Sequence, residues 1–144
     1  MIAHRSLQAT IETYFGGRAC LLALPAKVEE RGTLLPLEFD ALPFTPRRCF
    51  SVGNVLPGTE RGRHAHRTAS QFLVCLSGRI RILMRADGED VEIDLADNSS
   101  GLLIGPGIWA QQTYMTENAV LLVLASEAYD PASYVSDAEE EGSP

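Results

Sequence analysis

The sequence predicts an all-β domain, folded as a sandwich or a barrel. Short apolar runs recur along the chain, and Gly, Pro and Asp separate them at intervals typical of strands. Several runs alternate apolar with polar residues, which is the period of a half-buried strand. Beyond residue 20 no stretch has the spacing of a long helix, so about eight to ten short strands account for the chain.

Residues 1–19 are predicted to be an N-terminal extension. Leu7, Ile11, Tyr14 and Phe15 lie at helix-like spacing, but two glycines follow directly. A short helix and a loosely packed arm both fit this pattern.

Residues 20–135 are predicted to form the barrel. The candidate strands before the histidines are CLLAL, RGTLLPLE and RRCFSVGNV, the second of which is interrupted at Pro36. QFLVCL follows, and because it is a continuous apolar run we expect a strand that is buried on both faces. The remaining candidates are RIRILM, VEIDL, GLLIGPGIW, QQTYMT and AVLLVLAS.

Two dipeptides, Ser77-Gly78 and Asp87-Gly88, predict tight turns around RIRILM. Arg79 and Arg81 alternate with isoleucines in that run and therefore share one face of the strand. That face is either solvated or part of a cavity wall. Residues 136–144 are acidic and are predicted to form a flexible tail.

The composition narrows the functional classes. The chain has 144 residues, enough for one domain, and a formal charge of −7, which argues against a nucleic-acid partner. No apolar run is long enough to span a membrane. The three cysteines lie in strand-like surroundings, and the first residues lack the pattern of a secretory signal, so we expect a cytoplasmic protein with reduced thiols.

The stretch GTERGRHAHRTASQFLVCLSG holds two of the three histidines. Gly58, the pair His64 and His66, Gln71 and Gly78 follow one another at spacings that resemble the first cupin motif. Residues i and i+2 of a strand share a face, so both imidazoles can project into one cavity.

A metal site at this histidine pair would be incomplete. Metal-binding cupins resembling this sequence usually have glutamate at the position of Gln71 and a third histidine in a second motif. Here the second motif reads GLLIGPGIWAQQ and supplies Ala110 and Gln111 instead. Catalytic zinc or iron typically takes three protein ligands, so we expect a site without metal or cofactor. A metal-dependent cupin that uses His64, His66 and Gln71 with water ligands remains an alternative.

The wider pattern is similar to that of the sugar 3,4-ketoisomerase family of cupins. ERGRHAHRTASQFLVCLSGRIRI carries the resemblance together with ERGTLLPLE, LPFTPRR, GLLIGPGIW and AVLLVLASEAYDPASYV. The resemblance implies a metal-free jelly-roll homodimer, often with N-terminal strands exchanged between subunits. It also implies a reaction that moves the ketone of a dTDP-4-keto-6-deoxyhexose from C4 to C3 through an enediol.

The resemblance also implies which residues act. His64 and His66 match the family's histidine pair and are the predicted acid and base, with neither preferred. The predicted substrate-binding residues are Arg31, Arg48, Phe50, Arg61, Gln71, Trp109 and Tyr114. Of these, Arg48 and Arg61 are expected to hold the diphosphate, and the aromatic residues are expected to line the sugar or stack on thymine.

Other observations keep alternatives open. Many family members have histidine after the tryptophan, where this chain has Ala110, so the C4 configuration of the product is not predicted. Tyr129 and Tyr134 are interpreted as packing residues. A 3,5-epimerase-like cupin on a similar substrate and a non-catalytic cupin that binds a nucleotide-sugar are the alternative functions.

Overall fold

A computed structural model describes residues 10–136 of this chain, and within them regular structure consists of strands and three short 3-10 turns. The all-β prediction is confirmed. The strands are β1 (Thr10–Tyr14), β2 (Ala19–Ala23), β3 (Lys27–Glu29), β4 (Gly32–Leu34), β5 (Arg48–Val52), β6 (Glu60–His66), β7 (Gln71–Ser77), β8 (Arg79–Ala86), β9 (Glu89–Ala96), β10 (Ser100–Ile104), β11 (Trp109–Tyr114), β12 (Val120–Ala125) and β13 (Tyr134–Ser136).

Two antiparallel sheets form a jelly roll. One sheet has the order β1-β2-β10-β7-β12-β5, and the other has the order β13-β6-β11-β8-β9. The hairpin β3–β4 belongs to neither sheet. Strands β5 and β13 are therefore edge strands, one in each sheet, and the histidine-bearing β6 lies next to β13.

Buried side chains fill the space between the sheets and also cover the outer face of the six-stranded sheet. In β7, Leu73 and Cys75 belong to the cluster between the sheets, whereas Phe72 and Val74 belong to the outer cluster. All four are at most 1% exposed. The expectation that QFLVCL is buried on both faces is thus confirmed.

The predicted turns at both ends of β8 are also confirmed. Gly78 joins β7 to β8 with φ 74°, and Asp87 and Gly88 have φ 53° and 77° between β8 and β9, values that suit a two-residue hairpin. Arg79 and Arg81 donate hydrogen bonds to Asp94 on the outer face, so these arginines are not part of a cavity wall.

The N-terminal helix alternative is wrong for residues 10–14, which form β1 and pair with β2. Ile11 is 56% exposed on this edge strand, so it does not form a buried helical stripe. Gly16 and Gly17, with φ 65° and 94°, turn the chain back into β2. Leu7, like residues 137–144 of the predicted tail, lies outside the described residues.

The run RGTLLPLE is a strand only over Gly32–Leu34. Leu35 and Leu37 instead pack from an irregular segment onto the outer cluster of the six-stranded sheet. In residues 10–136, no helix is long and apolar enough to cross a membrane.

We predict that Gly101→Ala lowers the free energy of unfolding by about 1–3 kcal/mol, because overpacking forces neighbours apart. A Cβ at Gly101 would lie 2.2 Å from Cζ of the fully buried Phe72. Gly53→Ala is the matched control, since its Cβ would meet Val120 at an ordinary 3.5 Å. Urea unfolding measures both variants, and a Gly101→Ala protein as stable as the control would contradict the packing.

Candidate active site

A cavity of about 170 Å³ lies between the two sheets, on the side of the edge strands β5 and β13. Apolar side chains from β5 and β12 form one wall, and polar side chains from β6, β11 and β13 face them. The lining residues are Arg48, Phe50, Val52, Arg61, Gly62, His64, Gln71, Gln112, Leu121, Val123 and Tyr134. An apolar cleft with a few convergent polar groups is the usual form of a small-molecule site.

A β-bulge in β6 decides which residues of that strand reach the cavity. His64 pairs with Ala110 and Gly62 pairs with Gln111, so Arg63 is an extra residue with no partner in the register. Strict alternation would place Arg61 and His64 on opposite faces. Because the bulge adds one residue, both line the same cavity.

Contacts on the outer face of the sheet hold the bulge. Arg63 has φ 64°, which is costly for a residue with a Cβ. Its guanidinium donates to Oε1 of the buried Gln111 and lies 5.6 Å from the Trp109 ring. The Gln111 amide in turn donates to Glu60 at 3.2 Å. These contacts offset the backbone strain.

The bulge also places a backbone carbonyl against His64. The Nδ1 atom of His64 lies 3.0 Å from the carbonyl oxygen of Gly62. Since a carbonyl oxygen only accepts, Nδ1 must carry the hydrogen in this bond. In neutral His64, Nε2 therefore carries no hydrogen, and its lone pair can accept a proton.

His66 lies behind His64, with ring centroids 5.0 Å apart. Its Nε2 atom is buried and has no hydrogen-bond partner among the described residues. Burial, followed by the neighbouring His64 and Arg48, lowers the pKa of His66 to about 4. His66 is therefore neutral at pH 7.

Arg48 and Arg61 bring positive charge to the cavity. The Arg48 guanidinium lies 4.5 Å from the Phe50 ring centroid and 4.9 Å from that of Tyr129. Among the lining residues there is no Asp or Glu, and neither arginine has a carboxylate partner within the described part of the chain. Guanidinium groups without a carboxylate partner can bind an anion.

Tyr134 is a cavity residue that sequence reasoning assigned to packing. Its ring stacks on His64, with centroids 4.5 Å apart and an angle of 17°, and meets His66 edge-on at 4.6 Å. Its hydroxyl accepts a hydrogen bond from Arg48 at 3.4 Å. The pairing of β13 with β6 creates these contacts, and no local sequence signal announces that pairing.

The structure does not bring three of the predicted substrate-binding residues into the cavity. Trp109 faces outward, next to Arg63 and Arg85. Tyr114 is fully buried, and burial raises its pKa to about 12. Arg31 lies in the β3–β4 turn, away from the cavity lining. His64, Arg48, Phe50, Arg61 and Gln71 do line the cavity, and His66 lies directly behind it.

The donor set does not suit a typical metal centre. Two imidazoles and the Gln71 amide are the available ligands, and no carboxylate joins them. Within residues 10–136, no three side chains of His, Cys, Asp or Glu converge in a metal-binding arrangement.

Comparisons with known proteins identify a matching family model and a related enzyme. The family model FdtA, WxcM-like, C-terminal, matches residues 18–141. TDP-4-oxo-6-deoxy-alpha-D-glucose-3,4-oxoisomerase of Aneurinibacillus thermoaerophilus is 32% identical over 109 residues, which are 75% of this chain and 78% of that protein.

Two solved structures extend the comparison. The first is the 3,4-ketoisomerase QdtA from Thermoanaerobacterium thermosaccharolyticum, with one histidine replaced by asparagine, in complex with TDP-4-keto-6-deoxyglucose. It is 34% identical with a TM-score of 0.79, and the match covers 86% of this chain and 93% of that protein. The second is dTDP-4-dehydrorhamnose 3,5-epimerase from Bacillus anthracis, with TDP and PPi bound. It is 17% identical with a TM-score of 0.76, and the match covers 88% of this chain and 81% of that protein. The second likeness is one of fold alone.

We predict that His66 makes the protein less stable as the pH falls. Its pKa is about 4 in the folded chain against an ordinary value of 6.5, so the unfolded chain takes up a proton first. The stability is complete above pH 6.5 and is lost towards pH 4, by at most about 1.4 kcal/mol per pH unit.

Urea unfolding of the wild type and of His66→Asn at several pH values between about 7 and 5 measures this effect. The variant should lose less stability over that range. Parallel pH dependence in the two proteins would contradict the burial of a neutral imidazole.

Proposed function

Because this chain belongs to the FdtA family of WxcM-like C-terminal domains, we propose that it is a sugar-nucleotide 3,4-ketoisomerase. Its substrate is a dTDP-4-keto-6-deoxyhexose, and the reaction moves the ketone from C4 to C3. The observation that carries the proposal is a histidine with a free Nε2 in a cavity with two arginines and no carboxylate.

The reaction requires one proton to leave C3, one to arrive at C4 and one to pass between the two oxygens, with no change in overall oxidation state. A base removes the proton from C3, which is acidic because it lies next to the C4 ketone. The electron pair forms the C3–C4 double bond of an enediolate, whose negative charge develops on the oxygen at C4. The hydroxyl proton at C3 passes to the oxygen at C4, which becomes the new hydroxyl. The electron pair on the C3 oxygen then forms the ketone at C3 as the C3–C4 double bond takes up a proton at C4.

His64 is the base in this proposal. The Gly62 carbonyl supports the assignment, because it leaves the lone pair of His64 on Nε2 in a residue that lines the cavity. Once protonated, the same ring can act as the general acid and deliver the proton to C4.

His66 is assigned a supporting task through its contact with His64, because it is not among the residues that line the cavity and its Nε2 is buried. Its pKa of about 4 also makes it a poor proton acceptor at pH 7. We assign Arg48 and Arg61 to the anionic groups of the substrate, which are the diphosphate and the developing enediolate, and Phe50 to the sugar or the base.

The donor set supports catalysis without a metal ion. Two imidazoles lack the third ligand that catalytic zinc or iron typically has. In this proposal the ketone is polarised by hydrogen-bond donors and arginines. Stoichiometric zinc, iron or nickel required for activity would contradict this part of the proposal.

The 3,5-epimerase alternative needs an acid across the sugar from the base. Tyr134 is the tyrosine in the cavity lining, but its ring stacks directly on His64. It therefore lies on the side of the base, which favours the ketoisomerase.

We also infer a cytoplasmic homodimer. The β3–β4 hairpin exposes Val28 by 82% and Leu34 by 57%, and an isolated two-stranded hairpin is marginally stable in water. Packing against a second copy would cover these side chains and bring Arg31 to the partner. The three unpaired cysteines suit a reducing compartment.

We predict that the purified protein converts dTDP-4-keto-6-deoxyglucose into a 3-keto sugar in heavy water, with deuterium appearing at C4 by NMR. His64→Asn should lower turnover by about 10³-fold or more, since it removes the proton carrier. Arg79→Gln, which changes only an ion pair on the outer face, is the control and should keep full activity.

Three other results would contradict the proposal or a part of it. Deuterium at C3 and C5 with the ketone kept at C4 would identify an epimerase. Tight binding of the sugar nucleotide without any exchange would identify a non-catalytic binding protein. Full activity of His64→Asn would refute its role as base.

We predict that light scattering after gel filtration gives the mass of two chains. The double variant Val28→Glu, Leu34→Glu should elute as a single chain, because charge on the hairpin opposes its burial. The matched control is Leu56→Glu, at a residue that is 79% exposed outside the hairpin. A monomeric wild type would contradict the dimer.

A further inference from the structure

We propose that the ring of Tyr134 is a positioning residue, which fixes the catalytic imidazole by stacking on the face of His64. The inference rests on the proposed function, in which His64 takes the C3 proton. It adds a third aromatic residue, supplied by β13, to the histidine pair.

The register of the edge strand places Tyr134 at the pair. Tyr134 is opposite His66 in the antiparallel pairing of β13 with β6, and His64 is its diagonal neighbour. Diagonal neighbours are within reach of an aromatic side chain. The ring accordingly contacts both imidazoles, one face to face and the other edge-on.

A hydrogen bond at Nδ1 alone does not fix the plane of an imidazole. The Gly62 carbonyl holds one edge of the His64 ring, and the near-parallel Tyr134 ring restricts rotation about the Cβ–Cγ bond. Together they hold Nε2 in one direction. When His64 accepts a proton, the electron-rich face of the phenol ring also lies against the imidazolium.

The hydroxyl of Tyr134 has a smaller part than the ring. It contacts Arg48 at 3.4 Å, which is long for a hydrogen bond. Arg48 also lies over the rings of Phe50 and Tyr129, so it keeps two contacts without this hydroxyl. Removing the ring and removing the hydroxyl should therefore have different consequences.

The segment that leads into the strand of Tyr134 is anchored by two hydrogen bonds. In the 3-10 turn that precedes the strand, the Asp130 carboxylate accepts from the Ala132 amide. The Arg67 amide, directly after β6, donates to the Ser133 carbonyl at 2.8 Å. These bonds set the position of the ring relative to β6.

The test compares Tyr134→Phe, which keeps the ring, with Tyr134→Leu and Tyr134→Met, which remove it. Two ring-removing variants are made so that poor folding of one leaves the other. We expect kcat to fall by about tenfold to 100-fold without the ring, with KM changed by less than about threefold. Tyr134→Phe should stay within about threefold of wild type.

A spectroscopic readout needs no substrate. Stacking shifts the Cε1 proton of His64 upfield, and the resonance is identified by its loss in His64→Asn. It should move downfield in the Leu and Met variants and stay in place in Tyr134→Phe. A merely structural role would lower folded content without this pattern.

Three outcomes would overturn the inference. These are wild-type kcat without the ring, an unmoved His64 resonance, and a Tyr134→Phe variant as impaired as Tyr134→Leu. If the wild type does not isomerise the substrate, the proposed function fails, and the His64 resonance still decides whether Tyr134 stacks in solution.

Discussion

The extra residue in β6 is the constraint on which the rest of the site depends. Arg63 occupies a left-handed conformation and has no partner in the register of β11. Its insertion turns Arg61 into the cavity that His64 lines, and it aims the Gly62 carbonyl at the imidazole. One local irregularity thus brings the Arg61 guanidinium into the cavity and determines the tautomer of His64.

The outer face of β6 stabilises the bulge, and its inner face lines the cavity. On the outer face, Arg63 and Gln111 compensate a strained backbone with contacts that a substrate never meets. On the inner face, the space opposite Gly62 is filled by Gln112, whose side-chain atoms would lie 2.8 Å from a Cβ at that position. Glycine suits the positive φ of 84° and this close approach. The glycine at position 62 therefore has a structural reason.

The sequence was sufficient for the fold class and for the core of the site. Alternation and turn residues predict where strands lie without knowledge of how those strands pair. His64 and His66 share a face because they are two residues apart. Alternation gives the wrong face for Arg61, because the bulge shifts the inward and outward positions of β6 by one residue and no residue type in the sequence marks the bulge. On β11 alternation holds: Trp109 and Gln112 are three residues apart and therefore face opposite sides of the sheet.

Tyr134 could not be found from the sequence for a different reason. Its role depends on β13 pairing with β6, a contact between segments distant in the chain that a three-residue strand does not announce. The helix alternative at residues 10–14 failed similarly, since pairing with β2 outweighed local spacing. Local patterns thus predicted elements, and long-range pairing decided which of them meet.

The central claim is that neutral His64 carries its hydrogen on Nδ1 and presents Nε2 as the base. ¹⁵N NMR of histidine-labelled protein at about pH 8, where imidazoles are neutral, measures this directly. With three histidines in the chain, His64→Asn assigns the signals. We predict a protonated Nδ1 and an unprotonated Nε2 for His64. A proton on Nε2 in the neutral ring would contradict it.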